Sequence, residues 1–221
     1  MNLEDYKIID KSKHDGIVMY EHIRSGYELV EKTVPIKRGI EEINMMKRLK
    51  ANCFPQMIDF IIQDQMVKIY MNKIQGIPLS MVSNFPEIAS LAMNHLDILK
   101  FNSIQCLKKL HNEGIIHRDV KPDNLIIDES LNVHLIDFGV ACFFSSETKG
   151  NTLVGTYGYM SPEMVFSGPS IGKECDYFSL GKSLLFLVEK QKKMLSELMY
   201  EEILALCELN LVKRKKNIER L

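Results

Sequence analysis

One stretch constrains this chain more than any other: His117-Arg118-Asp119-Val120-Lys121-Pro122-Asp123-Asn124, followed after a short hairpin-like interval by Asp137-Phe138-Gly139. Asp119, Asn124 and Asp137 bring hard oxygen atoms to set positions along the chain. Oxygens of this kind suit a hard cation such as Mg2+, which prefers carboxylate, carbonyl and phosphate oxygens. A lone carboxylate is ordinarily a solvated surface group. The order and spacing of the three lift them out of that ordinary case.

The two stretches carry the H-R-D-x-x-x-x-N and D-F-G patterns, and in them the chain resembles the eukaryotic-type protein kinases. The resemblance implies transfer of the γ-phosphoryl group of Mg-ATP to a protein hydroxyl, chemistry that needs little covalent help but strict placement of charge. It implies Asp119 as the carboxylate facing the acceptor, Asn124 and Asp137 as the Mg2+ ligands, and Phe138 packed behind them. Lys121 is the residue that serine/threonine members carry, suited to neutralising the transferring phosphate, so a Ser/Thr acceptor is expected. Gly155-Thr156-Tyr157-Gly158-Tyr159-Met160-Ser161-Pro162-Glu163 resembles G-T-x-x-Y-x-[AS]-P-E, which implies that Thr156 bonds Asp119 and Lys121.

Two further pieces extend the resemblance. Asp176-Tyr177-Phe178-Ser179-Leu180-Gly181 resembles D-x-W-S-x-G with Phe178 for Trp, implying that Asp176 accepts backbone N–H groups of the catalytic loop. Cys207 to Arg214 resembles C-x-x-x-D-P-x-x-R, with Asn210 and Leu211 for Asp and Pro, implying an Arg214–Glu163 pair. Between these two pieces the chain is contracted, and the spacing of Met194, Leu198, Ile203, Leu206 and Leu209 fits short helices.

Before the catalytic loop the pattern is looser. Tyr6 to Asp10 and Gly16 to Tyr20 read as strands, Ser25-Gly26 as a turn, and Tyr27 to Lys32 as a third strand. Against the family's G-x-G-x-x-G-x-V, Gly16 and Val18 match the last Gly and the Val, while Lys11 and Lys13 stand at the first two glycines. Lys32 matches the lysine that pairs the α/β-phosphates, with Val30 in the adenine-covering place. Ile40 to Leu49 has helical apolar spacing and resembles the family helix whose glutamate pairs that lysine, making Glu42 the partner and Glu41 the fallback. Met57 to Ile62 and Gln65 to Met71 read as strands. Asn72 to Gly76 resembles the hinge, with Met71 as gatekeeper and Ile74 offering backbone groups to an adenine edge. A helical run through Ile98, Phe101, Ile104, Leu107 and Leu110 closes at Gly114, and Ile126 is placed to lie under the adenine.

Composition narrows the rest. The chain has 221 residues, 46% hydrophobic and 26% charged, which is globular and small for this family. Lys+Arg 28 against Asp+Glu 29 leaves a net charge of -1, so nothing global points to nucleic acid or a membrane surface. The start is acidic and no apolar run approaches bilayer length, so a cytoplasmic protein is expected. The five cysteines are odd in number with no C-x-x-C pair, fitting reduced thiols. The six histidines read as structural, and Lys213-Arg214-Lys215-Lys216 as a solvated helix boundary.

The expected fold is α+β, a two-lobe kinase-like domain with an antiparallel-sheet lobe over residues 1–73 and a mainly helical lobe over 74–221. Thr152 stands at the distance of an activation-loop phosphosite, for an upstream kinase or autophosphorylation, with Arg118 as its partner and Ser145, Ser146 and Thr148 as further candidates. A different class of reading also stands: a kinase-like binding module that occupies another kinase or its substrate. The altered glycine loop favours that module, and intact Asp119, Asn124 and Asp137 argue against it. A small-molecule phosphotransferase would share the catalytic motifs but not the Gly155–Glu163 segment.

Overall fold

The alternating side-chain character between Tyr6 and Pro35 becomes three antiparallel strands, β1 (Tyr6–Lys11), β2 (Ile17–His22) and β3 (Glu28–Pro35). The structure, a computed structural model, describes residues 3–11, 16–144, 153–166, 171–192 and 194–221. Contacts divide the chain into two units, Met1–Ile74 and Gln75–Leu221, one residue beyond the division drawn from sequence.

In the first unit β4 (Met57–Gln63) and β5 (Met66–Asn72) complete a five-stranded sheet of order β1-β2-β3-β5-β4. Gln65, read as a strand residue, instead shares the β4–β5 turn with Asp64. Both have positive φ (63° and 49°), the conformation whose twist matches a two-residue hairpin. Helix α1 (Ile36–Met46) follows β3 directly, four residues earlier than its expected start at Ile40. No side chain caps it, so the usual start signal is missing, and Pro35 at φ -56° itself makes the junction. At the other end the N–H groups of Arg48 and Leu49 both turn back to the Met45 carbonyl, ending the helix before Leu49.

The second unit is mainly helical. In chain order it contains β6 (Ile77–Pro78), α2 (Pro86–Asn94), α3 (Leu96–Asn112), β7 (Ile115–Ile116), β8 (Leu125–Ile127), β9 (Val133–Leu135), β10 (Cys142–Phe143), α4 (Pro162–Val165), α5 (Glu174–Gln191), α6 (Glu197–Leu206) and α7 (Leu211–Ile218). Two small sheets, β6-β8-β9 and β10-β7, bracket the His117–Asn124 loop. Ile104, Leu107 and Leu110 of α3 are buried as the helical spacing requires, but Ile98 and Phe101 are exposed. The fold class is α+β, as expected.

Helix α5 is the centre of this unit, with every residue from Cys175 to Gly181 buried. Its Gly181 is where α6 and the following turn approach most closely. A Cβ there would meet Cys207 Sγ and come within 2.9 Å of Leu206 Cβ. Gly181→Ala is expected to destabilise the chain by about 1–3 kcal/mol through overpacking, despite alanine's better helix propensity. A thermal melt that is unchanged or raised would contradict this packing. Around α6, Ile203 and Leu206 are buried, whereas Met194, Leu198 and Leu209 are exposed. Of the basic run, Arg214 is fully buried and its three lysine neighbours are exposed.

Candidate active site

In the second unit the loop between β7 and β8 is held from behind by α5. Asp176, fully buried, accepts the N–H groups of His117 and Arg118 at 2.9 Å each, and His111 Nε2 lies 2.8 Å from the same carboxylate. Burial pushes the Asp176 carboxyl up, and the His111 bond with the charges and N–H groups facing it outweighs this, leaving it below its ordinary value. Burial pushes the imidazole of His117, also fully buried, below its ordinary value, and its Nε2 lies 3.0 Å from the Ile136 carbonyl. Its ring packs edge-on against Phe138, 5.2 Å between centroids. The histidines at 111 and 117 are structural in this sense: they fix the loop's backbone.

This anchoring sets Asp119 into a triangle. Asp119 Oδ1 accepts the Thr156 hydroxyl at 2.7 Å, Lys121 Nζ donates to Thr156 Oγ1 at 3.0 Å, and Lys121 Nζ stands 3.3 Å from Asp119 Oδ2. Asn124 Nδ2 donates to the Asp119 carbonyl at 2.9 Å, which leaves Asn124 Oδ1 as the oxygen for a cation. Its backbone carbonyl accepts the Ile136 N–H at 3.0 Å, bringing the residue before Asp137 to Asn124. Asp137 is exposed, and its Oδ1 accepts the Gly139 N–H at 3.2 Å. Arg118 and Asp137 both hold positive φ, 66° and 65°. For non-glycine residues that costs on the order of 1–3 kcal/mol each, strain that gathers at functional sites.

The segment that carries Thr156 is tied down along its length. Gly155 has φ 107°, and a Cβ there would lie 2.5 Å from the Arg118 carbonyl. Ser179 Oγ donates to the Tyr159 carbonyl at 2.7 Å, and Glu163 pairs with buried Arg214. Arg118 donates its Nε to the Val140 carbonyl at 2.6 Å, so that part of its guanidinium is already engaged. Thr152, Ser145, Ser146 and Thr148 lie outside the described residues. Ile126 is buried in β8, paired with Pro78 and His134.

The first unit carries the lysine and its carboxylate. Lys32 Nζ bonds Glu42 Oε1 at 2.6 Å and Oε2 at 2.9 Å, both side chains largely buried. Glu41 is exposed, so the fallback is not needed. Register decides what shares the Lys32 face. Ile17 pairs with Lys32 and Met19 with Val30, while Val18 pairs with Glu31. Val18 therefore lies on the opposite face from Val30 and Lys32, a correction to the motif count, because a one-residue offset in a strand reverses its face. Ile17 and Met19 hold the positions expected of Val18. Gly16, at φ 62°, is explained by strand pairing: its carbonyl accepts the Thr33 N–H at 2.8 Å, and a Cβ would come 2.7 Å from the Thr33 carbonyl. Lys11 ends β1 and is exposed, Lys13 lies outside the described residues, and partly buried Ile74 closes the unit.

The reverse face holds a network that sequence reading missed. Buried Glu31 accepts the Tyr20 hydroxyl at 2.9 Å and pairs with Lys68 at 3.1 Å. Burial pushes the Glu31 carboxyl up, but bonds from Tyr20, Lys68 and Tyr70 together bring it below its ordinary value. Burial and then Glu31 push the Tyr20 phenol up to about 12. Alternation along β3 was the one available signal, since it sets Glu31 opposite the Lys32 face.

Residues 6–220 match the family model described as protein kinase domain. The chain is 29% identical over 171 residues to sperm motility kinase Z of Mus musculus, covering 76% of this chain and 34% of that protein. It is 42% identical over 82 residues to beta-adrenergic receptor kinase 1 of Homo sapiens, covering 37% of this chain and 12% of that protein. Over 83 residues it is 40% identical to G protein-coupled receptor kinase 2 of Caenorhabditis elegans, covering 38% and 12%. The chain thus spans about a third or less of the length of these relatives.

Proposed function

We propose that this chain, which belongs to the protein kinase family, is an active serine/threonine kinase that transfers the γ-phosphoryl group of ATP to a protein hydroxyl. The observation that carries the reading is the Asp119–Thr156–Lys121 triangle, in which a hydroxyl already sits against the carboxylate with an ammonium beside both. Asp119 orients an acceptor hydroxyl and takes up its proton. Lys121 offsets charge on the transferring group. Thr156 holds the two in place, and Lys121, two positions after Asp119, is the basis for a Ser/Thr acceptor.

The donor set fits Mg2+. Exposed Asp137 and the Asn124 carboxamide oxygen are hard ligands that retain room for nucleotide oxygens and water. When bound, Mg2+ supplies neutralisation of the β- and γ-phosphate charge. Lys32, oriented by Glu42, is the group for the α/β-phosphates, and Val30, Ile17, Met19 and Ile74 are the first unit's apolar positions for the base.

A second reading, the kinase-like binding module, is favoured by one observation: from Tyr6 to Asp15, where the family's loop carries its first two glycines, the sequence has none. A side chain there prevents the close backbone approach that glycine allows. Mg-ATP affinity is therefore expected to be about 1–2 kcal/mol below that of a kinase with an intact loop, roughly five- to thirtyfold weaker. Titration calorimetry with and without Mg2+, together with labelled-ATP transfer to a generic protein and analysis of the phosphorylated amino acid, tests both readings. Weak, Mg2+-dependent binding with phosphoserine or phosphothreonine supports the enzyme. No binding at millimolar nucleotide moves the conclusion to the module, and phosphotyrosine overturns the acceptor class.

A further inference from the structure

After proline, glycine is the least favourable residue inside a helix, yet Gly39 stands within α1 and is buried. Gly39, Glu42, Ile43 and Met46, spaced three or four apart, make the inner face of that helix. At Gly39 the face presses on the sheet. A Cβ there would come 2.6 Å from Val67 Cβ, 2.8 Å from Val67 Cγ2 and 3.2 Å from Val34 Cγ2. Val34 and Val67 are cross-strand partners in β3 and β5, and Val67 is fully buried in a strand that has neighbours on both sides. The strand backbone fixes the Val67 Cβ, so no change of rotamer relieves the first contact.

The helix has no slack with which to lift away. It begins at Ile36 without a loop after β3, and the Ile36 N–H donates to the Gln65 carbonyl of the β4–β5 turn at 2.9 Å. Its first turn is thus held by Pro35 on one side and by Gln65 on the other. The chain then runs back over the strand it has just left. Lys32 lies two residues before Val34, about 6.6 Å along the strand and on the same face, and Glu42 lies three residues after Gly39, about 4.5 Å along the helix. The Gly39–Val34 contact and the Glu42–Lys32 pair are therefore neighbouring rungs between the same two elements.

We propose that Gly39 is a positioning residue: its missing side chain lets α1 lie directly on β3 and β5, and this seats Glu42 on Lys32 across a connection of only ten residues. Ordinary van der Waals contact begins near 3.4 Å, so a Cβ at 39 would push the helix outward by most of the difference. The Lys32–Glu42 bonds, now 2.6 and 2.9 Å, would then stand beyond normal hydrogen-bond length. The consequence for transfer rests on the proposed role of Lys32, whereas the seating of Glu42 is readable without nucleotide.

Urea unfolding of the full chain reads that seating. Gly39→Ala is expected to lower the midpoint, although alanine is the better helix former. Glu42→Gln should lower the midpoint of the parent chain but not that of Gly39→Ala, where the pair is already parted. Val67→Gly removes both atoms that the Cβ would meet below 3 Å, so it should cost much less on top of Gly39→Ala than in the parent chain. Arg38→Ala, at an exposed position of the same helix, should leave the Glu42→Gln loss intact. Labelled-ATP transfer per folded molecule should fall about a hundredfold in Gly39→Ala and in Glu42→Gln alike, and no further in both together, as misplacement of this size can cost.

A midpoint raised by Gly39→Ala, or equal losses from Glu42→Gln with and without it, would overturn the proposal. Equal losses from Val67→Gly in the two backgrounds would do the same. If Gly39→Ala does not fold alone, recovery of folded chain on adding Val67→Gly supports the proposal and continued failure overturns it. If the midpoints couple as described while transfer is undiminished, Gly39 still seats Glu42 and the role given to Lys32 falls.

Discussion

Asp119→Asn is expected to lower phosphoryl transfer by at least a factor of about 10², within the roughly 10²–10⁴ that one positioned proton-transfer group contributes, and Asp137→Asn is expected to lower it by a similar factor of about 10² through loss of a charged oxygen for Mg2+. Neither should unfold the chain. Asparagine at 119 keeps an acceptor for the Thr156 hydroxyl, now 2.7 Å away, but loses the charge that draws Lys121 and the acceptor proton. At 137 the carboxylate is exposed, and asparagine tolerates the left-handed φ of 65° better than most residues. What asparagine cannot supply is a charged oxygen for Mg2+. Labelled-ATP transfer beside thermal unfolding checks both variants. Near-normal turnover in either, with an unchanged melt, would sink the enzyme reading and leave the binding module.

How far the site could be read in advance follows from where its information is stored. Asp119, Lys121, Thr156, Asp176 and Arg214 belong to motifs whose spacing is itself the geometry, so the Thr156 bonds to Asp119 and Lys121, the Asp176 bonds to the loop backbone and the Arg214–Glu163 pair were legible before any coordinates, whereas the Asn124 bond to the Asp119 carbonyl was not. Glu42 was legible for the same reason: ten residues after Lys32, on the inner side of the next helix. Val18 was not. A strand turns over every residue, and a motif count that is off by one gives the wrong face with no other warning. The start of α1 was hidden because Pro35 and Ile36 carry no capping side chain. Glu31 escaped because its partners Tyr20, Lys68 and Tyr70 come from the two flanking strands, β2 and β5, and only the sheet register brings them together. The exposure of Leu198 and Leu209 shows the reverse limit, since apolar spacing marks a face without saying that anything covers it.

The largest stability effect is expected at Arg214. It is fully buried, pairs with Glu163, donates Nη1 to the Glu208 carbonyl at 2.5 Å, and lays its guanidinium over Phe178, 5.2 Å from the ring centroid. Asn210, replacing the family's aspartate, still caps α7 by accepting the Lys213 N–H at 3.1 Å, so the helix that delivers Arg214 is kept in place. Arg214→Met would leave the Glu163 carboxylate largely buried without its cation, at a cost of about 3–5 kcal/mol. Because Glu163 opens the short helix after the Thr156 segment, part of that loss should also appear as weaker transfer. The companion variant decides the cause. Replacing both members with apolar residues, Arg214→Met with Glu163→Leu, removes the stranded charge along with the pair, and buried pairs exchanged in this way are often neutral. The double variant is therefore expected to recover most of the stability lost by Arg214→Met, a coupling well above the few tenths of a kcal/mol that independent sites show. Urea unfolding of the two single variants and the double completes the cycle. Additive losses would mean that Arg214 acts through its packing on Phe178 and its bond to Glu208, with the ion pair incidental.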